Sequence, residues 1–432
     1  MKNKQISFFS FSFGCRVNQA ETEAINLRLI EAGLVFCEAN PNIYIINTCA
    51  VTGKAEREAR QYIYQIKRKF PNTYLIVTGC STTFWMKNNM FKNLPVSLFI
   101  DNKNKENIVK LVMQNYSLLH SATYNRSGWI SAKNKFTVSN RSFVKIQDGC
   151  QRFCSYCIVP YLRGLPKSKK IKKIVDEING LNLETKEVIL TAINTEAYGL
   201  DTGEKFTDLI SEVVEKTEIP RISFGSINPW SVDSNLYKVF NKYKKTNRLL
   251  NFFHIPLQSG SDKVLKLMKR GYTSGEFEDK LKILKKINPL SLIATDVIVG
   301  FLGEGNQEFE ETYKFLEHSP ISKFHVFKYS IRKGTAADYL SRTIKEPSIE
   351  IKKQRVNELL KLSNEKYDQF IKKLIGIKST ALLLNKTKDE YSEALLENQV
   401  PVWIKTSKNL NGQIKNVQVE SKKNGSLFGK II

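Results

Sequence analysis

Residues 148–164 read DGCQRFCSYCIVPYLRG and crowd three cysteines, Cys150, Cys154 and Cys157, into eight residues. Cysteine is otherwise scarce, because the whole chain of 432 residues contains seven. A structural zinc site takes four ligands, usually two Cys-x-x-Cys pairs or cysteines with histidines, and the nearest histidines in the sequence lack that spacing. Three thiolates on a cubane 4Fe–4S cluster leave one iron open, which can chelate a small molecule and pass it an electron. The spacing therefore favours an iron–sulfur cluster over zinc.

The motif directly follows a predicted strand, and the chain beyond it alternates strands and helices. The apolar segments that predict these strands lie at 141–147, 187–193, 221–227, 252–257, 294–301 and 323–330. Strands joined by crossover helices favour an α/β domain with an open or partial barrel of parallel strands. Because α/β barrels carry their chemistry at the carboxyl ends of the strands, we expect the motif there. A long charged helix at about 348–375 is predicted to end this domain, which spans 141–375.

The first 115 residues predict a separate parallel α/β domain. Three nearly continuous apolar segments, at 6–13, 43–49 and 73–80, are separated by helical patterns. Continuous rather than alternating apolar content indicates a parallel sheet that helices cover on both faces. Domain 1–115 is therefore predicted to have its own buried sheet.

Three further cysteines, Cys15, Cys49 and Cys80, share a position relative to these strands, because each ends or closely follows one of them. The carboxyl ends of parallel strands meet at one edge of a sheet, where ligands gather. The sequence therefore predicts that the three thiolates converge on a second cluster. Cys37 has no strand-end position in the predicted pattern and is interpreted as an ordinary small core or surface residue.

The remaining segments are a linker and a basic terminal domain. Residues 116–140 are polar and aperiodic, which predicts a linker. Segment 376–432 alternates strand-like stretches with the turns NLNG and KKNG and has nine lysines against five acidic residues. This pattern predicts a small basic β-barrel that binds nucleic acid, with a structural cap as the alternative. Arg163 and the lysine-rich stretch 167–173 are further candidates for RNA phosphate contacts, unless they form only a solvated basic face.

The composition excludes several classes of protein. A net charge of +25 and a pI near 9.6 make nucleic acid the leading partner, with a lysine-rich surface from compositional bias as the alternative. No apolar run reaches the roughly 18 residues of a membrane span, so no membrane association is expected. The N-terminal stretch alternates like a strand and lacks a small-residue cleavage site, which argues against a signal peptide. Irregularly spaced cysteines do not form a disulfide framework, so metal-bound thiolates in a reducing cytoplasmic location are expected.

The spacing Cys-x-x-x-Cys-x-x-Cys, with Tyr156 before the last cysteine and a strand before the first, resembles the radical S-adenosylmethionine (SAM) enzymes. In that family the open iron of a 4Fe–4S cluster binds the amino and carboxylate groups of SAM. Electron transfer then cleaves the sulfonium and yields a 5′-deoxyadenosyl radical. The resemblance implies that Cys150, Cys154 and Cys157 hold this cluster.

Longer words extend the resemblance to the methylthiotransferases, a radical SAM family, over nearly the whole chain. These words are GCRVNQAETE (14–23), NTCAVT (47–52), TGC (78–80), CIVPYLRG (157–164), PLQSGSDKVLKLMKRGYT (256–273), DVIVGFLGE (296–304) and HVFKYSIRKGT (325–335). The terminal β segment is similar to the TRAM domain of that family, an RNA-binding module. The resemblance implies an N-terminal α/β domain, a central partial (β/α)6 radical SAM barrel and a small all-β TRAM-like barrel.

The family has branches that methylthiolate isopentenyladenosine in tRNA, an aspartate of a ribosomal protein, or threonylcarbamoyladenosine in tRNA. The Val-Asn-Gln and Glu-Thr-Glu of GCRVNQAETE resemble the third branch. The resemblance implies replacement of C–H by C–S–CH3 at adenine C2 in the tRNA anticodon loop, with two 4Fe–4S clusters, SAM and an electron donor protein. One SAM would methylate a sulfur held at Cys15, Cys49 and Cys80. No side chain is predicted to act as a useful base on this inert C–H. The other two branches and a non-catalytic Fe–S RNA-binding protein are the alternatives.

This sequence departs from the family pattern at six positions, none of them a cluster ligand: Lys167, Lys169, Ala192, Asn228, Phe252 and Leu302. Asn228 stands where an acidic residue is frequent and Ala192 where glycine is common, so both bear on the contacts to SAM. By family analogy Tyr156, Gly300 and Gly303 line the SAM site. Glycine at a strand-end turn is also explained by packing alone.

Overall fold

The structure, a computed structural model, describes residues 6–120, 140–406 and 408–432, which fall into two compact units. The first unit comprises 6–120, Asp148–Gln151 and Cys157–Leu165. The second unit comprises 140–147, Arg152–Tyr156 and the described residues of 166–432. The cysteine motif thus contributes to both units, since Cys154 belongs to the second and its two partners to the first.

A five-stranded parallel sheet of order β2-β1-β3-β4-β5 forms the first unit. Its strands are β1 (Ser7–Ser12), β2 (Val35–Phe36), β3 (Ile43–Thr48), β4 (Tyr74–Gly79) and β5 (Leu98–Ile100). Every residue of β3 and β4 is buried, as expected for central strands that are apolar on both faces. The three predicted strands are confirmed as β1, β3 and β4, and the short strands β2 and β5 add the two edges.

Helices cover both faces of this sheet. They are α1 (Arg16–Glu31), α2 (Gly53–Lys69), α3 (Cys80–Lys87), α4 (Ile108–His120) and the short α5 (Val159–Arg163). Tyr44 and Ile46 of β3 pack in one core with residues of α2, α3 and α5, whereas Ile43 and Ile45 pack in another with residues of α1 and α4. Alternate side chains of one strand therefore enter two different cores.

The second unit contains the six predicted parallel strands, which succeed one another in chain order. The six strands are β6 (Arg141–Asp148), β8 (Glu187–Ala192), β9 (Arg221–Phe224), β10 (Phe252–His254), β11 (Leu292–Val299) and β12 (Lys323–Lys328). A short additional strand, β7 (Lys167–Ser168), lies beside β6. Strands β7-β6-β8-β9 form one sheet and β10-β11-β12 another. A parallel bridge between Ile222 and Leu249 links β9 to the segment that leads into β10. The predicted series of parallel strands is confirmed.

Eight helices among the described residues accompany these strands: α6 (Ile171–Asn179), α7 (Phe206–Lys216), α8 (Ser234–Lys242), α9 (Asp262–Leu267), α10 (Ser274–Ile287), α11 (Asn306–His318), α12 (Ala336–Leu340) and α13 (Ile349–Lys372). Alternate strand residues such as Phe253, Val297 and Phe324 are buried in one large core with apolar residues of α10, α11 and α13. The intervening residues of the same strands therefore point to the opposite, inner face.

The C-terminal segment forms a closed barrel of order β13-β14-β15-β17-β16. Its strands are β13 (Lys378–Lys388), β14 (Tyr391–Leu396), β15 (Pro401–Lys405), β16 (Ile414–Lys423) and β17 (Ser426–Ile431). The pattern predicted three of these five strands. The pattern did not predict β17, because Gly429 interrupts its run of strand-forming residues. A Cβ at Gly429 would lie 2.3 Å from the Gln418 carbonyl oxygen, so the close pairing of β17 with β16 requires glycine there.

Most of the predicted linker, 116–140, lies outside the described residues, and its first five positions continue α4 to His120. The predicted domain boundaries therefore remain predictions. Within the described ranges, no helix combines the length and the apolar character that a membrane crossing requires.

Candidate functional site

The carboxyl edge of the first unit's sheet carries the edge cysteines, Cys15, Cys49 and Cys80. Cys49 directly follows β3, Cys80 directly follows β4, and Cys15 precedes α1 just after β1. Since β1, β3 and β4 are neighbours in the sheet, their carboxyl ends lie side by side. None of the three thiols is in a disulfide; Cys49 and Cys80 are buried, and Cys15 is exposed.

Close contacts and charges bring the edge cysteines together. A Cβ added at Gly14 would lie 2.5 Å from the Cys49 Sγ atom, so the loop that carries Cys15 passes directly against Cys49. Burial, and after it the charges of Cys15 and Cys80, raise the pKa of Cys49 to about 12. Cys15 as a residue is exposed, but the protein atoms around its thiol displace water and raise its pKa; Arg163 opposes the rise and Cys80 adds to it. The three cysteines therefore lie at one sheet edge and influence one another electrostatically, while their assignment to one cluster remains a prediction.

Arg163, at the end of α5, is the buried cation of this edge. Its side chain is 1% exposed, and its Nε donates to the Cys80 Sγ at 3.3 Å. Its Nη1 donates to Glu21 Oε1 (2.8 Å) and Asp148 Oδ1 (2.8 Å), and its Nη2 donates to Asn18 Oδ1 (2.7 Å). Burial alone would lower the pKa of Arg163, but Cys80, Glu21 and Asp148 raise it well above its usual range. The interpretation of Arg163 as an RNA contact or part of a solvated face is wrong, because its guanidinium is enclosed in this network.

The word GCRVNQAETE supplies much of that network, although Cys15 was its only residue predicted to be functional. Lys105 Nζ donates to Glu21 Oε2 at 2.6 Å and to Asn47 Oδ1 at 3.2 Å. Asn18 Nδ2 donates to the Thr48 carbonyl oxygen at 2.9 Å, which ties α1 to the end of β3. Asn18 and Glu21 could have been found from the word itself. Lys105 lies 84 residues beyond Glu21, and no local pattern marks it.

Cys37 also occupies a strand end, contrary to the expectation. It directly follows β2, and its N–H donates to the Phe8 carbonyl oxygen at 2.8 Å. The two residues of β2 were too few to be read from the pattern. The Cys37 thiol donates to the Ala39 carbonyl oxygen at 3.3 Å. Cys49 differs, because the groups that influence its thiol electrostatically include Cys15 and Cys80. The prediction that Cys37 lies away from a strand end is wrong. The prediction that Cys37 is not a cluster ligand remains a prediction.

The motif cysteines, Cys150, Cys154 and Cys157, lie on the irregular loop that follows β6. In the first unit, Gly149 has a φ of 74°, and a Cβ there would lie 2.2 Å from the Leu165 carbonyl oxygen. The Cys150 N–H donates to the Gly164 carbonyl oxygen at 3.1 Å. The sharp turn at the start of the motif therefore requires glycine.

In the second unit, Arg270 holds the middle of the motif. Its Nη1 donates to the Cys154 Sγ and to the Tyr156 hydroxyl, both at 3.4 Å, and its Nη2 donates to the Pro256 carbonyl oxygen at 2.9 Å. Tyr156 also packs edge-on against Phe301, with ring centroids 6.3 Å apart. Arg270 was not predicted, although it lies in the word PLQSGSDKVLKLMKRGYT. The structure therefore adds one cation to each set of cysteines.

Backbone conformation and packing account for Gly300 and Gly303. Both follow β11 with φ of 75° and 74°, a region that other residues rarely adopt. A Cβ at Gly300 would lie 2.3 Å from Lys352 Cγ, and one at Gly303 would lie 3.2 Å from Leu267 Cδ1. The Gly300 N–H donates to Glu304 Oε1 at 2.7 Å. The assignment of these glycines to the SAM site remains a prediction.

Asn228, which stands where the family often has an acidic residue, forms two reciprocal hydrogen bonds with Thr195. The Asn228 N–H donates to Thr195 Oγ1 at 2.9 Å, and the Thr195 N–H donates to Asn228 Oδ1 at 3.2 Å. An amide oxygen thus accepts the hydrogen bond that a carboxylate oxygen would also accept. Leu302 and Ala192 are buried in apolar cores of the second unit.

Two protein families match the chain. Residues 144–316 match the radical SAM superfamily, and residues 7–100 match the uncharacterized protein family UPF0004. The fold of a solved structure, the radical SAM methyltransferase TsrM from Kitasatospora setae, is similar with a TM-score of 0.52 and 11% identity, and the match covers 75% of each chain. At 11% identity, the similarity to TsrM shows a shared fold and nothing further.

Curated relatives match the chain along most of its length. The threonylcarbamoyladenosine tRNA methylthiotransferase MtaB of Aquifex aeolicus is 34% identical over 90% of this chain and 95% of its own. MtaB of Bacillus subtilis is 32% identical over 94% and 92%. The tRNA-2-methylthio-N(6)-dimethylallyladenosine synthase of Thermodesulfovibrio yellowstonii is 31% identical over 98% and 97%. With two sets of three cysteines on this fold and relatives of this kind, the chain belongs to the radical SAM methylthiotransferase family.

Proposed function

We propose that this protein methylthiolates threonylcarbamoyladenosine beside the anticodon of tRNA, replacing the C–H at adenine C2 by C–S–CH3. The observation that carries the proposal is the position of the edge cysteines at the ends of the neighbouring strands β1, β3 and β4, in a chain that also has the motif cysteines. The relatives from Aquifex aeolicus and Bacillus subtilis are named threonylcarbamoyladenosine tRNA methylthiotransferases and match at least 90% of this chain. That breadth supports the same substrate here.

The edge cysteines suit a 4Fe–4S cluster on chemical grounds. Three disulfide-free thiols end adjacent strands, and soft thiolates are the usual ligands of such clusters. Arg163 and the Asn102 amide both donate to the Cys80 Sγ, at 3.3 and 3.6 Å. Hydrogen bonds to sulfur and a nearby positive charge stabilise an electron-rich cluster. Cys15, Cys49 and Cys80 would therefore hold one cluster.

The motif cysteines would hold the second cluster and, through its open iron, SAM. When bound, the cluster and SAM together supply a radical able to remove hydrogen from an unactivated C–H. Arg270 orients Cys154 and Tyr156 through hydrogen bonds of 3.4 Å, so it serves as a positioning residue. No protein acid or base is needed at the adenine C2 atom, because the hydrogen leaves with its electron.

A tRNA substrate is supported by charge. The net charge is +25, and a polyanion would neutralise it. Lys388, Lys408 and Lys423 lie exposed in the C-terminal barrel region and are our candidates for contacts to the tRNA backbone. An unpaired anticodon-loop base can be splayed into a site, whereas a duplex base cannot be reached cheaply.

The test is nucleoside mass spectrometry of tRNA from cells that lack this gene. The methylthio form of threonylcarbamoyladenosine should vanish and its unthiolated precursor should accumulate. Re-expression of the wild-type chain should restore the product, and expression of Cys49→Ala should not. The Cys37→Ala chain is the matched control and should restore it.

Other outcomes of the same experiment would redirect the proposal. Loss of the methylthio form of isopentenyladenosine would assign the substrate of the Thermodesulfovibrio yellowstonii relative, which is 31% identical. Loss of a methylthio group from a ribosomal-protein aspartate would make the substrate a protein. An unchanged profile from a chain that holds both clusters would leave a non-catalytic RNA-binding protein.

A further inference from the structure

Three side chains that the cysteine chemistry does not use meet on adjacent strands of the second unit. They are His254 of β10, Asp296 of β11 and His325 of β12, and Asp296 and His325 are direct partners in the strand register. The His254 Nε2 lies 3.0 Å and the His325 Nδ1 lies 3.3 Å from the same oxygen, Asp296 Oδ1. The three potential ligand atoms all lie within 4.8 Å of one another.

The group faces away from the helix layer. Its sequence neighbours Phe253, Val297 and Phe324 are buried in the core beneath the helices, so alternation puts the group on the inner face. Exposure of the side chains rises from 11% at His254 through 25% at Asp296 to 51% at His325. A small ion can therefore reach the group from solvent.

We propose that His254, Asp296 and His325 form a divalent metal site that binds zinc. Two imidazoles and one carboxylate are a frequent donor set for zinc, with one position left for an external ligand. Zinc bonds of about 2.0–2.1 Å would set tetrahedral ligand atoms roughly 3.3 Å apart. The two distances to Asp296 Oδ1, 3.0 and 3.3 Å, are close to that spacing, and the two imidazole nitrogens lie within 4.8 Å of each other.

A hydroxyl group behind His254 supports this assignment. The Ser226 Oγ lies 2.8 Å from His254 Nδ1. When Nδ1 carries the proton and donates it to Ser226, Nε2 is left with a free lone pair on the side of Asp296. Outer partners of this kind fix the tautomer and orientation of metal-binding histidines.

The competing explanation is a hydrogen-bonded triad without an ion. In that state each imidazole donates one N–H to Asp296, and His254 Nδ1 accepts from Ser226. The two explanations differ in the direction of the Ser226 hydrogen bond and in metal content. Metal content is measured directly.

The experiment uses the holoenzyme with both iron–sulfur clusters in place, because empty cysteine sites would also bind zinc. Protein prepared without oxygen is equilibrated with Zn²⁺, freed of excess metal and analysed for zinc and iron by mass spectrometry. We expect about one zinc per chain in addition to the cluster iron, and a zinc absorption-edge spectrum with nitrogen and oxygen ligands only. Sulfur scattering from zinc would place the ion on cysteine and overturn the proposal.

Variants then assign the ligands. His325→Ala and Asp296→Asn should each weaken zinc binding by more than about 100-fold, and Ser226→Ala by about 10–100-fold. His318→Ala is the matched control, since that histidine is 77% exposed on α11 and lies outside the group, and its zinc affinity should not change. Unchanged iron content and circular dichroism show that each variant has folded.

Absence of zinc from the wild-type holoenzyme, or the same zinc content in Asp296→Asn, would overturn the proposal in favour of the hydrogen-bonded triad. Because His325 is half exposed, its alanine variant should fold even where a change at His254 does not. The iron analysis reports separately on the cysteine sites, so failure here leaves the proposed methylthiolation untouched.

Discussion

The edge cysteines and the motif cysteines are assembled in opposite ways. The motif cysteines fall within eight residues of one loop, so chain connectivity keeps them near one another. The edge cysteines are 34 and 31 residues apart, and they meet because β1, β3 and β4 pair side by side. The first site depends on local chain geometry and the second on a whole folded sheet.

The residues that hold the two sets of cysteines in place also differ, because the edge cysteines have the larger buried network. Behind the edge cysteines lies a buried network of Arg163, Glu21 and Lys105, with side chains from 1% to 7% exposed. Beside Cys154, one arginine, Arg270, donates to sulfur, to Tyr156 and to a backbone carbonyl. A site gathered from distant residues should therefore be sensitive to changes in residues that are not ligands.

The largest effect is expected from removing all motif cysteines. The holoenzyme should contain about eight irons in two cubanes, and changing Cys150, Cys154 and Cys157 to Ala should leave about four. Formation of 5′-deoxyadenosine should be abolished. Iron analysis and chromatography of the SAM products measure both effects, and continued SAM cleavage by the triple variant would refute the assignment.

The next effect concerns one edge cysteine. Cys49→Ala should damage the other cluster and stop methylthiolation, while uncoupled SAM cleavage continues at the motif cysteines. Iron content, SAM cleavage and product formation are measured on one preparation. Cys37→Ala is the control and should keep both clusters; loss of a full cluster there would show that the edge set has been chosen wrongly.

Replacing Arg163 tests whether the edge site depends on its scaffold. Arg163→Ala removes a buried cation that Glu21 and Asp148 share. Breaking a buried ion pair costs about 3–5 kcal/mol, and the lower end of that range is expected because Lys105 still pairs with Glu21. Loss of the positive charge near Cys80 should also lower the reduction potential of the edge cluster. Chemical denaturation and a redox titration followed by electron paramagnetic resonance measure the two effects.

Arg57→Ala is the matched control for Arg163, because Arg57 is exposed on α2. Its substitution should change stability by less than about 0.5 kcal/mol. Equal behaviour of the two variants would mean that the edge site tolerates loss of its network as readily as a surface change.

A smaller effect is expected where the strands of the second unit meet the C-terminal barrel. Glu187 is buried and accepts hydrogen bonds from Arg141, Arg221 and Ser223, while Arg221 also donates to the Leu395 and Leu396 carbonyl oxygens. Burial alone would raise the pKa of Glu187, but Arg141 and Arg221 outweigh it and lower the pKa. The carboxylate therefore stabilises the folded state above its unfolded pKa of about 4.3, and this contribution disappears as the pH falls through the lower folded pKa.

Glu187→Gln should cost about 1–3 kcal/mol at neutral pH and should flatten the loss of stability below about pH 4. Urea denaturation followed by circular dichroism at several pH values measures the change. Glu390→Gln, in an exposed pair with Lys405, is the control and should change stability by less than about 1 kcal/mol. An unaltered pH slope in Glu187→Gln would show that another group controls the acid sensitivity.

Sequence patterns were sufficient where the signal is local. Continuous apolar runs identified β3, β4 and β11, because central parallel strands are buried on both faces. The same runs correctly predicted that Cys15, Cys49 and Cys80 lie at the ends of neighbouring strands. The short strands β2 and β5 were missed, since two or three residues show no period, and this omission made Cys37 look different from the other strand-end cysteines.

The sequence by itself determined the motif cysteines, the strand-end positions of the edge cysteines, the order of the main strands and helices, and the resemblance to methylthiotransferases, because each is read from short stretches of chain. Only the tertiary structure decided that Arg163 is buried beside Cys80 rather than exposed to RNA. It also decided that His254, Asp296 and His325 meet, although 42 and 29 residues separate them. Strand pairing and burial bring distant polar groups together at defined spacings, and no sequence period encodes which of them will share a neighbour.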